Sequence, residues 1–523
     1  MLDRFFGRRR VQPSKVNTDE VSPVYPQDGA PNLPNVTMIV TFRFHDVLEP
    51  EKLHGSLCRL VETGGWRRIG GRLRKDAKGK LELHIPRPFT AERQAAGMTH
   101  TSFDTCIDDH PLARQLPRPT PGQFSMQPAP NQFLPLAFGD TGPKVLEDWL
   151  STDAPQVWIH IVSFRDATLV TLRWLHLTSD AMGISHLVSA WSQVLAGKED
   201  EIPPMLSLEH DPVGDIVRGG RPGKDGGTVP EERLALADKR VTGVKLFLFI
   251  VRFLVDLLLY PRAKQQMMFL PRAVVQKLKS RALSELEEDC SSNIGPAAET
   301  VLDRKTGKPF LSTGDVTAAW LAQVAAQSIP PTSRRTHCIV SAMDLRERVP
   351  SVVDIEKGVY VQNFASTVWT MLPSQVVHPH TPRSASLGKL AGRLRWDVAQ
   401  QSTEPQIRAA IRMECQNLEA TGQRLLFGDP SNFLTVFTNW TRTRFDEVAD
   451  FSPAVVLPAG AKPDWPTETL PGRAVYFHGS AVIAGEDTQS LLGIYENSTG
   501  DVWINGVMPP HLWSVAEEEL RKI

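Results

Sequence analysis

His176 is followed four residues later by Asp180, and three residues after that by Gly183, in Leu175-His-Leu-Thr-Ser-Asp-Ala-Met-Gly183. A neutral imidazole is suited to take a proton from a hydroxyl or an amine near pH 7, because it titrates there. A carboxylate at the fourth position can reach back to the ring or brace the turn that carries it. A glycine three residues on lets two backbones pack closely. The spacing alone is also met by a buried histidine with a capping aspartate at a helix start. No Gly-x-Ser-x-Gly occurs, so an elbow-type serine nucleophile is excluded. His160 and His186 have no Cys or Glu at ligand spacing, and His378 and His380 share a loop, so no metal site is expected.

Local elements must deliver these side chains. Val157–Phe164 and Thr168–Leu175 are apolar, β-branched runs joined by Arg165-Asp-Ala167, which predicts a hairpin ending at His176. Apolar residues at 184, 187, 188, 191, 194 and 195 predict a helix starting at Asp180. Val36–Phe44 reads as a strand and Leu48–Glu62 as a helix. Residues 1–35 are polar and Pro-rich and read as a loose arm. Residues 36–215 then form a first domain, with 87–150 as a Pro-rich excursion over its surface.

Residues 197–240 are charged and rich in Gly and Pro. They read as a connector, and 216–300 as a crossover between domains. Within it, Val244–Tyr260 is apolar except for Lys245, Arg252 and Asp256, which fall on one side of a helix. A buried helix, an interfacial helix and a membrane span all fit this segment. Residues 301–523 form a second mixed domain. There Asp315 is a candidate N-cap for a helix over 316–326, 337–343 is a strand, 385–420 is mostly helical, and 434–440, 474–477 and 493–495 are short strands.

Composition limits the class. The chain has 523 residues, 41% hydrophobic and 22% charged, which suits a globular enzyme and not a disordered, collagenous or coiled-coil chain. Lys plus Arg number 58 and Asp plus Glu 59, a net charge of -1 with no general pull towards nucleic acid. Five cysteines without C-x-x-C spacing argue against a disulfide or zinc scaffold and fit a reducing compartment. The basic N-terminus lacks an apolar run and does not read as a secretory signal; a cytoplasmic protein is expected, with peripheral membrane contact through 244–260 as an option, and a monomer is expected as well.

The H-x-x-x-D-x-x-G pattern, with Ala181-Met182 before Gly183, resembles the active-site motif of the CoA-dependent acyltransferase superfamily, in particular its fungal BAHD-like branch. Further matches follow in order: Ser312-Thr-Gly-Asp315 with Ala319-Trp320, Asp344-Leu-Arg346-Glu-Arg348 with Tyr360-Val-Gln-Asn363, and Asn439-Trp440 with Asp450-Phe451. Ser452-Pro-Ala454 stands where the family has Gly-Trp-Gly, and Gln362 stands where it has Gly.

The resemblance implies an α/β fold of two chloramphenicol-acetyltransferase-like domains. Each has a mixed sheet flanked by helices, and an active-site channel runs between them. It implies His176 as general base, Asp180 as an orienting group that meets an arginine, and Gly183 as a structural residue. Asp450 would pair with Arg346 or Arg348 away from the reacting centre. Thr438 and Asn439 would lie near the channel and the co-substrate, and Arg442 and Arg444 are candidates for the CoA phosphates. The implied reaction moves an acyl group, most often acetyl, from acyl-CoA to a hydroxyl of a specialised metabolite, without metal or acyl-enzyme, and the apolar stretch 244–260 suggests that this acceptor is hydrophobic. Transfer to an amine, or a non-catalytic ligand-binding descendant, are the alternatives.

Overall fold

Two large mixed sheets, each with its own helices, dominate the fold, beside a three-stranded and a two-stranded sheet. The computed structural model describes residues 11–208, 210–219, 231–259, 263–291, 300–459, 470–483 and 491–523. The first sheet has five strands in the order Tyr476–Ile483, Val36–Phe44, Thr168–Leu175, Val157–Ser163, Gly97–Ser102. Its neighbours are antiparallel except Gly97–Ser102, which runs parallel to Val157–Ser163. Thr168–Leu175 is buried along its whole length, which is why it reads as a nearly continuous run of Leu, Val, Thr and Trp. Helices Pro50–Glu62 and Ala181–Leu195 share a core with this sheet through Leu53, Leu57, Ile184, Leu187 and Trp191. The Trp191 indole donates to Leu53 O at 3.1 Å and to Ser56 Oγ at 2.9 Å, so the polar edge of this buried ring is also satisfied.

The second sheet has seven strands in the order Ala365–Pro373, Thr336–Asp344, Phe433–Asn439, Leu491–Glu496, Val502–Met508, Lys264–Leu270, Ser125–Gln127. Helices Arg272–Ser291, Thr313–Ala326, Leu387–Gln401 and Pro510–Leu520 share its apolar core.

The two bodies exchange elements, which corrects the expected boundaries. Tyr476–Ile483, from the C-terminal part, closes the edge of the first sheet against Val36–Phe44. Ser125–Gln127, from the expected surface excursion, pairs with Met267–Phe269 in the second sheet. Lys264–Leu270 and Arg272–Ser291, assigned to a crossover, are a strand and a helix of the second body. The arm is not loose beyond residue 19. Glu20–Pro23 pairs with Leu81–Ile85, and the Tyr25 hydroxyl donates to Ser207 O at 3.1 Å.

Two local expectations also change. Ser312, not Asp315, is the N-cap of helix Thr313–Ala326. Asp315 is its third residue, and its carboxylate accepts from Ser312 N at 2.7 Å in a capping box. Residues 385–420 form two helices, Leu387–Gln401 and Glu404–Thr421, parted at Ser402-Thr403 before Pro405.

Candidate active site

His176 sits just past strand Thr168–Leu175, and Asp180 caps helix Ala181–Leu195. The His176 backbone is held on both sides. Its N–H donates to Val36 O at 2.8 Å, and its carbonyl accepts from Asn363 Nδ2 at 2.8 Å. The residue as a whole is half-buried, and its ring Nδ1 is enclosed and without a hydrogen-bond partner. Nε2 is therefore the nitrogen able to meet a substrate. Burial holds the imidazole below its ordinary pKa, more than its own carbonyl, Asp180 and Asn363 raise it, so the ring is neutral at pH 7. A neutral, backbone-anchored imidazole can act as a base at the end of a rigid strand.

Asp180 does not face that ring. Its Oδ1 accepts from Gly183 N and Arg346 Nη2, both at 2.9 Å, and its Oδ2 accepts from Phe364 N at 2.9 Å and Arg346 Nη1 at 3.2 Å. A carboxylate has about four acceptor sites, and all are taken. Burial pushes the Asp180 carboxyl up, but Arg346 and the two N–H donors outweigh it and hold the group below the usual carboxylate range. Arg346 is saturated in turn: besides Asp180, it donates to Asp344 Oδ1 at 2.6 Å, to Tyr360 O at 2.7 Å and to Gln362 O at 2.7 Å. All five guanidinium N–H groups are used. The aspartate thus ties the turn after His176 to the second body.

Gly183 lies at the tightest point of that seam. A Cβ there would stand 1.9 Å from Val361 O and 2.3 Å from Ser179 Oγ. Ser179 Oγ itself donates to Val361 O at 2.5 Å. The far side of the same helix is also stitched down, with Ser185 Oγ donating to Thr443 O at 2.5 Å and Ser192 Oγ to Val448 O at 2.7 Å.

The expected partner of Asp450 is corrected. Asp450 pairs with Arg473 at 2.9 Å, and Arg346 is committed to Asp180 and Asp344. The reason is placement: Asp450 N donates to Ser192 Oγ at 3.1 Å, on the opposite flank of the motif helix from Gly183 and Val361. Beside it, Phe451 stacks on Phe44 (5.3 Å between centroids) and packs on Trp191 (4.5 Å). The Thr438 hydroxyl accepts from Trp440 Nε1 at 2.9 Å, which leaves its own O–H free to donate. Asn439 is exposed, accepts from Thr441 N at 3.0 Å, and lies over Gly314. Arg442 and Arg444 are exposed and paired with Glu347 and Glu447.

Two further residues complete the site. Asn363 was legible as part of a motif but without a role. Asp28, in the Pro-rich arm, carried no signal. It is buried, and its Oδ1 accepts from Asn363 N at 3.0 Å and from Asn363 Nδ2 at 2.9 Å. Asp28, Asn363 and the His176 carbonyl form one chain of hydrogen bonds across three parts of the sequence. Burial raises the Asp28 carboxyl to about 7 against Arg68 and the Asn363 donors.

Two clefts lie on different sheets, and His176 lines neither of them. One, of about 720 Å³, is lined by Gly97, Met98, Trp158 and Lys144. The Lys144 carbonyl accepts from Thr37 Oγ1 at 2.8 Å, and Thr37 is the register partner of Leu175. The other is lined by Gln27, Ala365, Ser366 and Trp369, just after Asn363-Phe364. Among the described residues no group of three or more His, Cys, Asp or Glu side chains is placed to hold a metal.

Comparison with known proteins agrees with this geometry. No family model matches the chain. O-acetyltransferase PaAT-2 of Phomopsis amygdali is 34% identical over 513 residues, covering 97% of this chain and 99% of that one. The chain belongs to the fungal BAHD-like acyltransferases. Acetyltransferase adrJ of Penicillium rubens is 30% identical over 520 residues, 99% of each chain. Among solved structures, TRI101 of F. sporotrichioides, complexed with coenzyme A and T-2, superposes with a TM-score of 0.59 at 13% identity, covering 96% of this chain and 98% of that one. Vinorine synthase gives a TM-score of 0.50 at 12% identity, covering 96% and 92%. The two-body α/β fold is that of BAHD acyltransferases, and the reaction class is acyl transfer from acyl-CoA to a specialised metabolite.

Proposed function

We propose that the chain moves an acetyl group from acetyl-CoA to a hydroxyl of a hydrophobic specialised metabolite, with His176 as the only base. The acceptor O–H gives its proton to His176 Nε2. The oxygen attacks the thioester carbonyl, the tetrahedral oxyanion collapses, the C–S bond breaks, and the CoA thiolate takes the proton back from the imidazolium. Both substrates are held at once, so proximity supplies much of the gain and no acyl-enzyme is needed. Thr438, with its free O–H, is the candidate donor to the oxyanion or the thioester. Asn439, exposed beside the helix start at Gly314, is the candidate on the CoA side.

The observation that carries this reading is the division of labour at the motif. Asp180 is spent on Arg346, Gly183 and Phe364, while His176 stays neutral and partly open. The relatives named O-acetyltransferase and acetyltransferase support the acetyl donor. The TRI101 complex with coenzyme A and T-2 supports a bulky, hydroxylated acceptor. We place the enzyme in the cytoplasm as a monomer. The test is mass spectrometry of products formed by purified protein from acetyl-CoA and a set of hydroxylated terpenoids and polyketides, with His176→Ala as control. Acetylated alcohols that vanish in the control support the reading. Acetylated amines alone would move it to N-acyl transfer, and no product from either would leave a binding protein.

A further inference from the structure

Helix Val244–Leu259 is turned inside out. Its large apolar side chains face solvent: Phe247 is 63% exposed, Leu254 53% and Leu258 80%, and Leu248, Val251 and Val255 are exposed as well. Its carboxylate points inward. Asp256 is buried and accepts from Arg335 at 3.1 and 2.6 Å, and Arg335 also donates to Ser431 O and Asn432 O. At 100° per residue Phe249, Phe253 and Asp256 form the inner stripe, and Phe247, Val251, Leu254 and Leu258 the outer one. Lys245 and Arg252 lie at the border of the two, both exposed, and the helix shows no exposed acid.

Water does not favour such an arrangement, so something apolar covers this face when the protein works. A second copy is a poor cover. Sixteen residues make a ridge about 24 Å long and about 10 Å wide, on the order of 250 Å². A stable interface needs roughly 800 Å² per partner. No described helix is long and apolar enough to cross a membrane. A bilayer surface asks for less: an apolar face sunk about 5–10 Å, with cations at its border to meet headgroups.

We propose that the outer face of Val244–Leu259 rests in the interfacial layer of an anionic lipid bilayer, pinned to the protein by Asp256–Arg335. The enzyme then works where greasy alcohols accumulate. This goes beyond the catalytic reading and does not depend on it.

The test is flotation of the full chain with two kinds of vesicle, phosphatidylcholine alone and phosphatidylcholine with phosphatidylserine. The wild type should float with the anionic vesicles and be released by salt. A Leu254→Glu/Leu258→Glu variant should bind ~tenfold less or weaker still, and Lys245→Glu should weaken binding selectively on anionic vesicles. CoA release with a water-soluble alcohol should stay at the wild-type rate in both variants, which separates this inference from the proposed chemistry. Wild-type protein that stays at the bottom of the gradient with both vesicles would overturn it. So would a stable dimer in sedimentation velocity that Leu254→Glu/Leu258→Glu dissolves. Equal binding to both vesicles would overturn the anionic part.

Discussion

Asp180→Asn separates two roles for the motif carboxylate. The substitution keeps the shape and removes the charge. The buried Asp180–Arg346 pair loses its anion, and one face of the guanidinium meets an amide in place of a carboxylate oxygen. Breaking one partner of a buried pair costs about 3–5 kcal/mol. Arg346 keeps Asp344, Tyr360 O and Gln362 O, so the lower end, about 3 kcal/mol, is expected. For a chain this long the shift in Tm would be a few degrees. The His176 ring should keep its place, because no Asp180 oxygen is hydrogen-bonded to it; losing the Asp180 charge, which raises the imidazole, moves its pKa down. The assays are differential scanning calorimetry and the pH profile of kcat/KM. The expected result is lower stability, a mostly retained kcat in the folded fraction, and an acid-limb inflection below the wild-type value. An unchanged Tm with a roughly 10⁴-fold loss in kcat, as in triads where the carboxylate fixes the imidazole, would refute this division of labour.

Other outcomes follow from neighbouring groups. Gly183→Ala puts a Cβ 1.9 Å from Val361 O, a backbone atom that cannot swing aside, so the two bodies should separate at this seam and the yield of folded protein should fall sharply, as read by proteolysis. Phe451→Ala removes a ring packed on Phe44 and Trp191 and should cost about 3–5 kcal/mol in urea unfolding. Asp28 titrates near 7 when folded and near 4 when unfolded, so the unfolded chain binds fewer protons between those values and stability falls as pH rises through that window. Asp28→Asn, which keeps an acceptor for Asn363, should flatten that fall and be relatively more stable at pH 8 than at pH 5. The wild-type acid limb of kcat/KM should lie below the ordinary histidine value of about 6.5, because burial lowers His176.

The motif was legible because it is local: a strand, a turn and a helix placed His176, Asp180 and Gly183 within eight residues. What the carboxylate does was open, since reaching the ring and bracing the turn share one spacing. Arg346, 166 residues away, decides between them. Asn363 reaches the His176 carbonyl from one distant segment and Asp28 reaches Asn363 from another, and no periodicity marks a contact of that kind. Asp450 was given the wrong arginine because order along the chain says nothing about which flank of a helix a loop packs on. The domain boundaries failed for a related reason. Tyr476–Ile483 and Ser125–Gln127 each complete the sheet of the other body, an exchange that element order conceals. For 244–260 the apolar content was plain, but only the inward turn of Asp256 shows which side faces out.

The most direct measurement is single-turnover acetyl transfer by wild type and by His176→Ala, with folding checked by circular dichroism. Loss of a positioned base should slow transfer by about 10²–10⁴-fold while the fold and CoA binding persist. A His176→Ala protein that acetylates its alcohol at the wild-type rate would contradict the account.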